Sequence, residues 1–426
     1  MDILSLAALI ITGLLLLLGV EIVVCLGIGT ILLTIFTGAF SLENLGTTVF
    51  DSLNSFSLIA MPLYILTGDL ISESGIAKTL VSFSKSIIGW LRGGLAMTGL
   101  FASGFFAAIS GSNSATTATI GKIMIPEMKK DGYPVSFSAA MAASGGVVGI
   151  IIPPSIVFII YGVSSGVPVG DLFIAGILPG VLLVILMSIV AFIWSGRKGW
   201  GSKVSFSWKT AFKFFWDAKL AFGATFIVLG GIYGGIFTPS EAGAIAAVYC
   251  IVVGKFVTKN IKLKELPKIM ESSSSINGMV APIIALAIVF SQILAYLQLP
   301  KAGVDALLSV STNPIVIVLL MLLILLIAGA VMETAPNVVI LTPLLAPVAI
   351  QLGFDPIHFG VVVVVALAIG FITPPVGLNL FVASSITGIS IVEIFYKTLP
   401  FLAALLIGLL IITFFPGLSL MLLPNQ

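Results

Sequence analysis

The 426-residue chain reads as an all-α polytopic membrane protein made of two inverted-topology repeats. Its composition, its self-similarity at a fixed offset and the uneven placement of its basic residues lead there. Hydrophobic residues make up 59% of the chain and charged residues 8%, with a mean hydropathy of +1.25. Soluble domains carry about 25% charged residues, so this chain cannot cover a water-facing surface. At roughly 20 residues per crossing, the length allows on the order of ten or more spanning helices. The net charge of +2 and the scatter of basic residues between apolar runs leave no nucleic-acid footprint. One histidine and two cysteines, Cys25 and Cys250 inside apolar segments, speak against a disulfide framework or a thiolate metal site. No nucleophile–base pair, metal-ligand cluster or phosphate loop marks an enzyme.

Apolar runs at 3–19 and 22–38 are separated by a turn at Glu21, and a third occupies 56–72. The first has no basic n-region or cleavage signal, so it is expected to be a spanning helix and not a removable signal peptide. Residues 76–92 carry Lys78, Lys85 and Arg92 among Leu80, Ile87 and Ile88, the pattern of a helix lying at the interface. A counterpart lies around 298–311 with Lys301 and Asp305. Both read equally as surface linkers or as arms bracing a moving part. Segment 94–128 has two apolar arms around a polar centre, Ser110 to Thr117. Arms of about 12–16 residues are too short to cross a core of about 30 Å, which predicts a re-entrant hairpin with its tip near the midplane. Its counterpart runs 314–350, with the tip from Val331 to Asn337.

Each hairpin is followed by a helix carrying a proline pair: G-I-I-I-P-P-S-I-V-F (149–158) within 136–165, and G-F-I-T-P-P-V-G-L-N (370–379) within 357–386. Two consecutive prolines remove two donors and clash with preceding carbonyls, so both helices should open there. Freed carbonyls at membrane depth are tolerated only against protein or a polar cavity.

A shift of 221 positions aligns Pro126 with Pro347, Gly132 with Gly353, Gly149 with Gly370, Pro153 with Pro374, Pro154 with Pro375, and Pro179 with Pro400. Nearer the start, Glu21 matches Glu241 and Pro62 matches Pro282 at 220. The halves are thus 1–195 and 220–426, joined by a basic linker, 196–219, that contains W-K-T-A-F-K-F-F-W. Basic loops face the cytoplasm. Threading the chain on that rule starts outside and leaves Lys301 outside, with the other basic residues at or near the inside. The loop K-K-D-G-Y-P before the first broken helix then faces in. Its counterpart Q-L-G-F-D-P-I-H, with no Lys or Arg, faces out. Inverted repeats of this kind build many secondary transporters; channels and exchangers share them.

The oxygen donors gathered by this plan predict the sites. Ser110, Ser112 and Asn113 face the Gly149–Pro153 break, and Met332 and Thr334 face the Gly370, Thr373 and Pro374 break. Hydroxyls, an amide and backbone carbonyls are hard ligands. With almost no carboxylate in the first set, Na⁺ fits better than a divalent ion. No Lys or Arg lies in either tip or break. An acidic substrate would be held by helix N-termini, by the hydroxyls of Ser114, Thr116, Ser155 and Ser384, and by the amides of Asn337 and Asn379.

Single residues give further expectations. Glu241 reads as part of a helix cap after Ser240, and Glu21 occupies the matching turn. Glu333, ionisable at membrane depth, is a functional candidate, balanced by the possibility that its tip is wet. Asp69 and Glu73 are expected to be solvated at the inner interface and His358 to border an outer loop. Trp90, Trp194, Trp200, Trp208 and Trp216 read as interfacial anchors.

At M-P-L-Y-I-L-T-G-D-L-I-S-E-S-G-I-A (61–77), the G-S-N-S-A-T-T-A-T-I-G tip, G-I-I-I-P-P-S, G-G-I-F-T-P-S-E-A-G-A (234–244) and G-F-I-T-P-P-V-G-L-N-L-F, the sequence resembles a known family. That family is the large membrane subunit of tripartite ATP-independent periplasmic (TRAP) transporters. The resemblance implies Na⁺-coupled uptake of organic acids such as sialic acid, C4-dicarboxylates and keto or sugar acids across a bacterial inner membrane. It implies two partners, a soluble periplasmic substrate-binding protein and a small four-helix membrane subunit. It also implies an elevator-type movement of hairpins and broken helices against a scaffold. The plan is similar to divalent-anion/sodium symporters as well, whose tips carry Ser-Asn-Thr. Here Ser112-Asn113-Ser114 departs by one residue and Glu333-Thr334-Ala335 by more, so the first sodium site carries over better. Proton coupling through Glu333 and an ion channel remain the alternatives.

Overall fold

The computed structural model describes residues 3–38, 41–201, 205–311 and 313–423, and all regular structure among them is helical. The chain opens with α1 (Ile3–Leu17), α2 (Ile22–Thr37), α3 (Leu42–Leu53), α4 (Phe56–Glu73) and α5 (Ile76–Ile88). Sequence reading assigned nothing to α3, whose residues are too polar for a span. It forms because Ser41 caps it, accepting from the Asn44 amide at 3.1 Å. Then come α6 (Gly94–Ser110), α7 (Asn113–Lys130), α8 (Val135–Gly146), a 3₁₀ turn Val147–Ile150, α9 (Ile156–Ser165) and α10 (Val169–Lys198).

The expected linker is only partly a linker. Helix α10 runs through its first residues, 202–204 lie outside the described residues, and the aromatic stretch forms α11 (Trp208–Asp217). That helix bends by 62° into α12 (Lys219–Tyr233). The second half continues with α13 (Pro239–Val252), α14 (Leu266–Tyr296), α15 (Leu299–Val310), α16 (Pro314–Val331) and α17 (Thr334–Gln351). It ends with α18 (Pro356–Gly370), α19 (Leu378–Thr387), α20 (Ile391–Phe414) and the short α21 (Gly417–Leu420).

Helices α7, α8, α9 and α10 start at 113, 135, 156 and 169, and α17 to α20 start at 334, 356, 378 and 391. The element order therefore recurs at the spacing of the Gly/Pro coincidences. Both proline pairs interrupt their helices, and the Pro153–Pro154 and Pro374–Pro375 bonds are both cis.

Among the described residues, seven helices are long and apolar enough to cross a membrane, or eight if the bent pair is one span. Several further apolar helices, α1, α2, α6 and α18 among them, fall below that length. The hairpin arms are longer than the 12–16 residues expected. α6 has 17 residues, and α7, α16 and α17 have 18 each. At the first tip the polar residues lie within helix, with the Thr116 and Thr117 hydroxyls donating to the Ser112 and Asn113 carbonyls. An 18-residue helix rises about 27 Å, so arm length no longer separates these segments from spanning helices.

The middle of the molecule is α8 and α18. Every residue from Ser136 to Gly146 is buried, as is every residue from His358 to Gly370. Alanine, serine and glycine in α8 admit close neighbours, as membrane helix packing requires. Large apolar side chains on α1, α2, α10 and α20 point outward, the surface of a body solvated by lipid and not water.

Candidate functional site

The first tip is shaped by backbone. Gly111 ends α6 at φ +59, and a Cβ there would stand 2.8 Å from the Pro154 carbonyl oxygen. Only glycine takes that conformation and that approach freely. Ser112 is extended and caps α7, accepting from the Ala115 amide at 3.4 Å. Across from it, a Cβ on Gly149 would lie 2.9 Å from the Asn113 Cα. The tip thus rests on the proline break of its own half. The second tip does likewise in different detail: Gly370 packs on the backbone of Gly329 and Ala330, and the Val376 amide donates to the Ala330 carbonyl at 3.1 Å.

A cavity of about 260 Å³ lies between the two tips. Ser112, Asn113 and Ser114 line it from the first, and Glu333, Thr334 and Ala335 from the second. The N-termini of α7 and α17 both end here, and Ile156 and Val157 at the start of α9 reach it. Three helix N-termini give it positive potential without a basic side chain. Glu333 is the one charged residue among those lining it.

The predicted cation ligands divide by how their polar atoms are used. Asn113 is 2% exposed, and neither its Oδ1 nor its Nδ2 has a partner among the described residues. Thr334 is equally buried, and its hydroxyl is also unpartnered. Buried polar groups are normally satisfied, and an orphan costs about 1–3 kcal/mol, so these two fit a ligand set. Ser110 instead shares a 3.1 Å contact with Thr116. The Ser112 carbonyl already accepts from the Thr116 amide and hydroxyl, and the Thr373 hydroxyl donates to Ile369 at 3.1 Å. Met332 ends α16, and its carbonyl accepts from Asn337. Pro153 is buried and Pro374 exposed, so the two breaks are unequal.

Of the predicted substrate contacts, Ser114 faces the cavity. Thr116 is turned into the first tip by its bonds to Ser110 and Ser112. Ser155 caps α9, donating to Ile150 at 2.6 Å and accepting from the Phe158 amide. The Asn337 amide donates to Ala328 at 2.9 Å and Met332 at 3.1 Å, tying the start of α17 to the end of α16 across the second tip. Asn379 donates to the Ala143 carbonyl at 3.0 Å and leaves Oδ1 unpartnered, so it joins α19 to α8 away from the cavity. Ser384 donates to Ile389 at the end of α19. Sequence reasoning missed the apolar wall of Ile65, Ile276, Met279, Val280 and Phe371. Apolar residues in apolar helices carry no signal of their own.

Four further expectations need correction. Asp69 is not simply solvated: half-buried on α4, it accepts from the Ser273 hydroxyl of α14 at 2.7 Å. His358 is 1% exposed, stacked on Phe354 and within 3.2 Å of both the Ser419 hydroxyl and the Thr413 carbonyl. The segment after α20 folds back over it. Trp194 and Trp200 are not exposed anchors but pack around Phe137, whereas Trp90, Trp208 and Trp216 stay exposed. The cap near Glu241 starts two residues earlier than expected. Thr238 and Glu241 form a reciprocal capping box, and Ser240 donates to the Phe56 carbonyl instead.

Comparisons with known proteins give the family of the chain and the likeness of its fold. The model of the tripartite ATP-independent periplasmic transporter, DctM component, matches residues 9–418. The C4-dicarboxylate TRAP transporter large permease protein DctM of Pseudomonas aeruginosa is 39% identical, over 94% of this chain and 93% of that one. The sialic acid TRAP transporter large permease protein SiaM of Vibrio cholerae is 32% identical over 91% of each. The isethionate TRAP transporter permease protein DctMQ of Oleidesulfovibrio alaskensis is 38% identical over 96% of this chain, which spans 64% of that relative's length. Among solved structures, the Alcanivorax borkumensis YdaH transporter superposes with a TM-score of 0.66 at 17% identity, over 89% and 90% of the two chains. Neisseria gonorrhoeae MtrF gives 0.61 at 14%, over 88% and 84%. Those two likenesses speak for the fold alone. A multi-pass membrane chain with this architecture and these relatives belongs to the DctM family of TRAP transporter large permease subunits.

Proposed function

We propose that the protein is the sodium-coupled permease subunit of an importer for small organic anions, working in a bacterial inner membrane. The relatives are named for C4-dicarboxylate, sialic acid and isethionate, which have an acidic group in common. The cavity between the tips suits such a group, with helix N-termini and hydroxyls for the anion. Asn113 and Thr334, buried with unpartnered oxygens beside it, suit Na⁺, and this carries the reading. The two halves act as inverted repeats, each supplying one hairpin and one broken helix. The hairpins and breaks move together, elevator-fashion, against a scaffold of the remaining helices. A periplasmic substrate-binding protein delivers the anion, and a small four-helix membrane subunit completes the permease.

The test is uptake into proteoliposomes holding the permease and its small subunit, with binding protein and labelled anion outside. Accumulation driven by an inward Na⁺ gradient is expected, with loss when Na⁺ is replaced by K⁺. One observation favours a second reading: Glu333 puts an ionisable group on the cavity wall. Accumulation driven by a proton gradient alone, and abolished in Glu333→Gln, would select proton coupling instead.

A further inference from the structure

Two clefts outside the transport site meet at Trp90. The first, about 460 Å³, is walled almost wholly by carbon: Phe83, Ile87, Trp90, Trp208, Phe212 and Phe215. The second, about 320 Å³, is polar and is lined by Lys85, Ser86, Ser205, Ser207 and Thr210, with Glu127 beside them. Trp90 belongs to both. An apolar trough joined to a polar cup at one shared ring has the shape and chemistry of an amphiphile.

The elements explain why the pair forms. Helix α11 carries Trp208, Phe212, Phe215 and Trp216 on one face, with Lys209 and Lys213 flanking it. Trp208 is 80% exposed and Phe212 70%, an arrangement that is costly in water and favourable at a membrane surface. The helix is fixed at its far end by stacked Phe215 and Phe222, which both close on Phe83 of α5. Phe206, ahead of α11, bridges Trp90 and Trp208 and closes the trough. In the cup, Lys85 is held by Glu127 at 3.2 Å, and Ser207 caps α11 so that the helix N-terminus opens towards it. In sequence the linker segment 196–219 carries six basic residues and one acid, Asp217, and of these Lys209 and Lys213 lie on α11 beside its aromatic face.

We propose that this junction of α5, α11 and residues 205–207 binds one glycerophospholipid, with its phosphate in the polar cup and one acyl chain in the trough. The cationic surround matches the phosphate charge, and Glu127 leaves room for a headgroup amine. A polypeptide partner fits less well, because the trough is walled almost wholly by carbon and offers no acceptor for backbone amides. The inference goes beyond the transport reading and does not depend on it.

The test uses the purified full-length chain, delipidated in steps and followed by native mass spectrometry. One phospholipid per chain is expected to remain after bulk lipid is gone. The double variant Ser205→Asp/Phe212→Asp alters two exposed positions and should keep the wild-type circular dichroism and melting. Its retained lipid, and its rebinding of added phosphatidylglycerol, should fall at least tenfold. Equal retention by wild type and variant would overturn the proposal. So would equal binding of diacylglycerol, which lacks the phosphate. A third contrary result is shielding of Phe212→Cys from maleimide only when a second membrane polypeptide is present, which would give the trough to a protein.

Discussion

Asn113 sits where hydroxyl-rich sequence, a helix start and burial coincide, and its amide has no partner among the described residues. An oxygen contact to a charged group is worth about 1.5–3 kcal/mol, so Asn113→Ala should weaken the Na⁺ dependence of uptake about tenfold or more. Thr334→Val should act in the same direction from the other tip. Folding should change little in either case, because no bond is lost. Gly149→Ala makes a different demand. A Cβ at 2.9 Å from the Asn113 Cα forces tip and break apart, and transport should fail while circular dichroism still reports a helical membrane protein. Normal uptake by that variant would mean that close contact between tip and break is not required. Sequence could single out Asn113 as an amide among hydroxyls beside a glycine-marked break, and the structure places it buried on the cavity wall. Thr116, Ser155 and Ser384 look the same in sequence. Only geometry reveals that their hydroxyls already serve backbone carbonyls.

At the scale of elements, both proline pairs open their helices where two missing donors and two ring clashes require it. Arm lengths were misjudged because polar residues at the tips read as loop, whereas Ser112 caps α7 and the Thr116 and Thr117 hydroxyls sit inside the helix, turned onto the carbonyls four residues back. Helix α3 escaped notice for a related reason, since its start is set by a single serine cap. Caps also supply a prediction that separates structure from function. Ser155 holds the start of α9 with two bonds, so Ser155→Ala should lower stability by about 1–2 kcal/mol. A fall in melting temperature with an unchanged Na⁺ response is expected. A changed Na⁺ response at unchanged stability would return Ser155 to the binding site. The aromatic linker shows the limit of charge counting. Its lysines located the segment, but the turning of Trp208, Phe212 and Phe215 onto one face becomes evident only when α11 is seen bent away from α12.

For the whole molecule, an apolar composition and a 221-residue spacing between matching helices were both legible in the sequence. Which elements close the cavity was not, since the wall from α14 is indistinguishable from any other apolar helix surface. The proposed transport reading requires that the halves have opposite orientation. Lys129 and Gln351 are exposed ends of the matching helices α7 and α17, and Cys25 and Cys250 are buried. An impermeant maleimide should therefore label Gln351→Cys in intact cells and Lys129→Cys only after permeabilisation. Labelling of both from one side would mean the halves run parallel, leaving no basis for alternating access through a shared site.

The claim beneath all of this is that the two tips, each seated on its proline break, hold Na⁺. Equilibrium binding of ²²Na⁺ to the purified chain tests it most directly. Saturable binding that K⁺ does not displace, and that is largely lost in the Asn113→Ala/Thr334→Val double variant, is the predicted result. Binding that is absent, or that survives unchanged in the folded double variant, would contradict it.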